Sequence, residues 1–83
     1  ITPEEWATVL ATNLTGPFHC AQAAARVMLP ARSGTIINVS SVLGATAIPG
    51  RTGFSTAKHG LDGLTKSLAV EWAVGWTVRM ALR

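Results

Sequence analysis

The sequence predicts an α/β fold, a portion of a doubly wound parallel sheet in the order helix, strand, helix, strand. Three observations carry that expectation. Two long stretches repeat apolar residues at spacings of three and four, as helices with one buried face do. Between them lies Thr35-Ile36-Ile37-Asn38-Val39-Ser40, rich in β-branched residues and without clean alternation, the pattern of a central strand covered on both faces. Glycine and proline punctuate the junctions.

The first helix starts at about residue 3, where Thr2 is placed to cap, Pro3 suits the first helical position, and Glu5 sits three residues after the cap to close a capping box. Trp6, Val9, Leu10, Leu14 and Phe18 then mark its apolar side. The alanine-rich run from Ala21 to Met28 continues it until Pro30 stops it. Pro17 interrupts the pattern, because it has no N–H to give the carbonyl four residues back, which belongs to Asn13. A kink is expected there. Local pattern alone leaves two readings open: a tolerated irregularity in a surface helix, or a carbonyl left free to bind something else.

Ser33-Gly34 reads as a turn into the strand at 35–40. A loop from Val42 to Arg51 carries Gly44, Pro49 and Gly50, and a second helix follows from about Thr52 to Trp72. Phe54, Ala57, Leu61, Leu64 and Leu68 give that helix its apolar face. Thr77 to Leu82 forms a second strand, and a right-handed crossover through the second helix should make the two strands parallel. Without a repeat, low-complexity segment or linker, residues 1–83 read as one part of one domain.

Composition narrows the function. The chain has 83 residues, 48% hydrophobic and 13% charged, which describes globular interior. A chain of this size buries only roughly 60–65% of its unfolded surface, so a core built here alone is marginal. Disulfides or metal usually compensate, yet there is one cysteine, Cys20, and two histidines, His19 and His59, without ligand spacing. Cys20 reads as an inert, partly buried thiol, consistent with a cytoplasmic location. The net charge of +3 comes from seven scattered basic residues with no interleaved aromatics, which argues against nucleic-acid binding. No uninterrupted apolar stretch suits a membrane span, and Ile1 to Glu5 lack the basic region of a signal peptide.

The candidate chemistry gathers around the central strand. Ser41 follows its C-terminal end, where open α/β sheets place ligands. Phe54 and Lys58, four apart, share a face near the start of the second helix. His19 and His59 receive no role, and Trp6 and Trp72 read as packing residues.

Asn13-Leu14-Thr15-Gly16, the strand ending Ile37-Asn38-Val39-Ser40-Ser41, and Phe54-Ser55-Thr56-Ala57-Lys58 thirteen residues after Ser41 together resemble the short-chain dehydrogenase/reductase family. The resemblance runs from Pro3-Glu4-Glu5-Trp6 to Leu68-Ala69-Val70-Glu71-Trp72-Ala73. It implies a Rossmann-like sheet and hydride transfer between NAD or NADP and a small-molecule alcohol or carbonyl, as in 3-oxoacyl-carrier-protein reductases. It also implies four site positions: asparagine at 13, serine at 41, tyrosine at 54 and lysine at 58. In the family the tyrosine passes the proton, the serine orients the substrate oxygen, the lysine bonds the nicotinamide ribose, and the asparagine carbonyl holds a water of the proton relay. That role gives the freed carbonyl of Asn13 a meaning. Bringing a phenol from its ordinary ionisation range to neutrality takes ~4 kcal/mol, about what one charge ~4 Å away supplies at an effective dielectric of ~20.

Here Phe54 stands at the tyrosine position, and it has no hydroxyl to donate. The family's glycine-rich turn, which cradles the cofactor pyrophosphate, has no counterpart among these residues. Trp76-Thr77-Val78-Arg79-Met80-Ala81-Leu82 also departs from the usual Gly-Ile-Arg-Val-Asn-Ala-Leu type of ending. The expectation is therefore the central-to-late part of one NAD(P)-binding Rossmann-like domain, inactive and without bound cofactor by itself. In the complete family domain the two long helices commonly form the subunit interface, which implies a homo-oligomer. The alternative is a catalytically silent scaffold or interaction protein that keeps the fold and has lost the chemistry at Phe54.

Overall fold

Thr2 opens the first helix by a side-chain cap. In the computed structural model, which describes residues 1–41, 44 and 49–72 and the backbone of 79–82, its Oγ1 accepts the Glu5 N–H at 3.1 Å. Extended backbone at Thr2 and Pro3 at the first helical position complete the start of α1 (Pro3–Leu10). A single turn of π-helix (Ala11–Thr15) follows and runs directly into α2 (Gly16–Ala31). The irregularity expected at Asn13 thus takes the form of a widened turn: the Gly16 N–H reaches back five residues to the Ala11 carbonyl. Pro17, unable to donate, begins the regular helix beyond it.

Pro30 does not stop α2. It lies in the last turn, where it forgoes one hydrogen bond, and the helix closes at Arg32, which adopts the left-handed conformation with φ 54°. The Arg32 N–H donates to the Leu29 carbonyl at 3.1 Å and the Ser33 N–H to that of Met28 at 3.2 Å. These two bonds form a Schellman motif, which satisfies carbonyls the helix end leaves open. Cys20 is exposed rather than partly buried. The buried line of α2 is Ala21 and Ala25, one turn apart, and Cys20 lies about 100° around the helix from Ala21.

Strands β1 (Thr35–Asn38) and β2 (Arg79–Leu82) pair in parallel, with Thr35 opposite Arg79 and Asn38 opposite Leu82. The ladder is two residues shorter than the β-branched run, because Asn38 already faces the last residue of β2. Residues 77 and 78 of the expected second strand, and most of the expected loop at 42–51, lie outside the described residues. Along β1, Ile36 is half-buried and Asn38 buried, while Thr35 and Ile37 are exposed. Ile37 and Val39 remain 53% and 69% exposed. The strand carries apolar residues for two covers and, among the described residues, has one of them, as a portion of a doubly wound sheet should.

The cover is α3 (Thr52–Trp72), whose limits match the sequence expectation. It buries Ala57, Leu61 and Leu68, which with Ala21 and Ala25 make the apolar core. Phe54 and Leu64, on the same expected face, are half-buried. Close approach to the first helix uses two glycines. A Cβ on Gly53 would stand 3.5 Å from Val9 Cγ1, and one on Gly60 would stand 2.8 Å from Leu14 Cδ2. The molecule measures 42 × 23 × 15 Å, with a radius of gyration of 13.9 Å, against about 12 Å for a compact chain of this length. Trp6 and Phe18 sit at the surface, and Val27 and Val70 are more than 70% exposed. Among the described residues no helix is long and apolar enough to cross a membrane.

Candidate active site

The C-terminal end of β1 meets the first two turns of α3, and this junction holds three of the four expected positions. Lys58 reaches from α3 to the strand exit, where its Nζ donates to the Val39 carbonyl at 3.0 Å. The same ammonium lies over the Phe54 ring, 5.4 Å from its centroid. The spacing of four places the two side chains together, and the ring face attracts the charge.

Ser41 lies three residues beyond β1, exposed, and its carbonyl accepts the Gly44 N–H at 2.8 Å. That turn rests against α3: a Cβ on Gly44 would stand 3.4 Å from the Lys58 carbonyl oxygen. Ser41, Phe54 and Lys58 therefore belong to one corner of the fold. Asn13 is held separately, on the π turn. Its Nδ2 donates to the Val9 carbonyl at 3.0 Å, so the amide is folded back on its own helix. Its neighbour Leu14 packs on Gly60, two residues past Lys58.

His59 is tied locally, with Nδ1 2.8 Å from the Ser55 carbonyl oxygen and 3.4 Å from Ser55 Oγ. His19 contacts the Phe18 ring at 5.5 Å between centroids. A cleft of about 500 Å³ opens between the starts of α1 and α3, lined among others by Glu4, Glu5, Thr8, Arg51 and Phe54. Of the four expected site positions, Phe54 alone borders it.

A buried polar link escaped the sequence reading. Asn38 Nδ2 donates to Thr65 Oγ1 at 2.9 Å, and the Thr65 hydroxyl donates to the Leu61 carbonyl at 2.7 Å. The available signal was an asparagine inside an apolar central strand, since a buried amide needs a partner. Nothing in the spacing named Thr65 as that partner.

The sequence profile described as short chain dehydrogenase matches residues 1–81. The chain belongs to the short-chain dehydrogenase family. It is 46% identical over 78 residues to the 3-oxoacyl-[acyl-carrier-protein] reductase FabG of Haemophilus influenzae, covering 93% of this chain and 32% of that protein. With the reductase of the same name from Staphylococcus aureus (strain Mu50) it shares 51% over 70 residues, covering 84% of this chain and 28% of the relative. It thus spans about a third of the length of these family members.

Solved structures of the family agree on the fold. A gluconate 5-dehydrogenase from Burkholderia cenocepacia, in complex with NADP and tartrate, superposes on 99% of this chain with a TM-score of 0.95 and 32% identity, over 32% of its own length. Acetoin dehydrogenase YohF from Salmonella typhimurium gives 0.93 at 35% identity, again over 99% of this chain and 34% of its own. The α/β arrangement is thus part of a Rossmann-like sheet, in a family of oxidoreductases that use NAD(P).

Proposed function

We propose that residues 1–83 are the central-to-late part of one NAD(P)-binding domain whose complete protein interconverts alcohol and carbonyl groups, with the proton-donating position occupied by Phe54. The observation that carries this reading is the Lys58 ammonium over the Phe54 ring, beside the Ser41 turn. In this reading Lys58 is the charge that would serve a phenol, and it lies over a ring that lacks the hydroxyl.

Each residue then has a chemical task. Lys58 has three N–H donors, one of them engaged by Val39, which fits a hydroxyl-rich ribose edge at this corner. The Ser41 hydroxyl follows the strand end, where it can hold a substrate oxygen. Asn13 offers the backbone carbonyl that Pro17 cannot satisfy in a regular helix, a place for a water. The nicotinamide, when bound, supplies or accepts the hydride at the substrate carbon. Phe54 cannot deliver the accompanying proton, so turnover should fall by the roughly 10²–10⁴-fold that a positioned acid contributes. The same reading gives the exposed apolar residues of the long helices, such as Trp6, Phe18 and Val70, to a second copy of the complete protein, and places that protein in the cytoplasm.

A silent scaffold is the second reading, favoured by one observation: Lys58 is already engaged by a carbonyl and an aromatic face. One experiment bears on both. Residues 1–83 are exchanged for the matching segment of the Staphylococcus aureus reductase, and NAD(P)H oxidation is followed with a panel of 3-oxoacyl thioesters, hydroxyketones and keto-sugars, beside Phe54→Tyr. Substantial turnover in Phe54→Tyr alone supports the proposed oxidoreductase lineage. Robust turnover with Phe54 present removes the scaffold reading, and none in either protein counts against the oxidoreductase.

A further inference from the structure

The corner that holds Ser41 is grasped by α3 at two points. Asn38 and Val39 are adjacent in the chain, yet Asn38 bonds Thr65 and the Val39 carbonyl bonds Lys58. Their partners are seven residues apart on one face of α3, two turns or roughly 10 Å along its axis. Two anchors spaced in this way fix both the height and the tilt of the strand exit, which a single contact cannot do. Ser41 follows two residues later.

The two anchors differ in character. Asn38 and Thr65 are 8% and 5% exposed, and the Thr65 hydroxyl is itself aimed by its bond to the Leu61 carbonyl. A buried, directional bond between two short side chains tolerates little displacement. Lys58 is half-buried on a long flexible stem, so its bond to Val39 depends on where the strand has been put.

We propose that the Asn38–Thr65 hydrogen bond positions the active-site corner, setting the strand exit so that Lys58 meets the Val39 carbonyl and the Ser41 turn settles on α3. Asn38 and Thr65 are positioning residues; they act through Lys58 and Ser41. The inference deepens the site of the proposed function, but its test contains no catalytic step, so failure of the oxidoreductase reading would leave the result standing.

The test follows hydrogen exchange and the nitrogen resonance of the Lys58 ammonium by NMR, with residues 1–83 carried in the complete protein built on the Staphylococcus aureus reductase and thermal unfolding measured in parallel. Thr65→Val should release Lys58, speeding exchange by about tenfold, the scale of losing one hydrogen bond to a charged group. Thr65→Ser, which keeps the hydroxyl, should retain the original signal. The double variant Asn38→Leu with Thr65→Val removes both polar partners from the interior; it should recover much of the stability lost by Thr65→Val and leave Lys58 released. A merely structural link predicts that stability and the Lys58 signal return together, and that result overturns the proposal. So does a Thr65→Val chain with unchanged Lys58 exchange, or an original chain whose Lys58 already behaves as a solvated lysine.

Discussion

Phe54→Tyr places a phenol where the structure already holds a positive charge, and the chain contains no other tyrosine. Its ionisation can therefore be read by near-ultraviolet absorbance without interference from a second phenol. With Lys58 Nζ over the ring at 5.4 Å from its centroid, the new oxygen stands on the order of 6 Å from the charge. At an effective dielectric of ~20 that distance gives roughly 3 kcal/mol in favour of the phenolate, which raises its ionisation constant about a hundredfold over free tyrosine. The gain is less than the full shift to neutrality, which calls for a separation nearer ~4 Å. The control is Lys58→Met, which keeps most of the stem and removes the charge. The absorbance titration should move toward lower pH in Phe54→Tyr and return to the ordinary tyrosine range in the double variant. Salt should weaken the effect, since the pair is only half-buried. A phenol that titrates as free tyrosine with Lys58 present would refute the assignment of Lys58 as the charge that serves position 54.

Two other expectations concern stability. Gly63→Ala meets no atom within 4 Å and should stabilise α3 by up to about 1 kcal/mol through helix propensity, whereas Gly60→Ala presses on Leu14 and should gain nothing or lose; paired denaturant titrations check the difference in sign. Arg32→Gly should raise stability by about 1 kcal/mol, because the left-handed conformation costs a side-chain-bearing residue that much, and the same titration reads it.

The parts of the fold legible in the sequence were those governed by local rules. Thr2-Pro3 marked the start of α1, and the three-four spacing of Ala57, Leu61 and Leu68 marked α3 across its full length. Pro17 placed the irregularity at Asn13, although the missing N–H could not say whether the helix would bend or widen. Pro30 misled because proline is costly in a helix interior and tolerable in a last turn, and the stop belongs instead to the left-handed Arg32. Cys20 misled because an alanine-rich run does not show which side of the helix is buried. At the site, spacing put Phe54 and Lys58 side by side, as found. The Asn38–Thr65 bond joins residues 27 apart in sequence, and such a pairing depends on how strand and helix pack, which no local pattern carries.

We propose that Ser41, Phe54 and Lys58 form a short-chain dehydrogenase corner that lacks its acid, with Asn13 on the neighbouring π turn. Turnover of NAD(P)H with a carbonyl substrate, compared between Phe54 and Phe54→Tyr in the complete protein built on the Staphylococcus aureus reductase, tests it most directly. Turnover in Phe54→Tyr should exceed that of the Phe54 protein by about 10²–10⁴-fold. Equal turnover in the two proteins would contradict it.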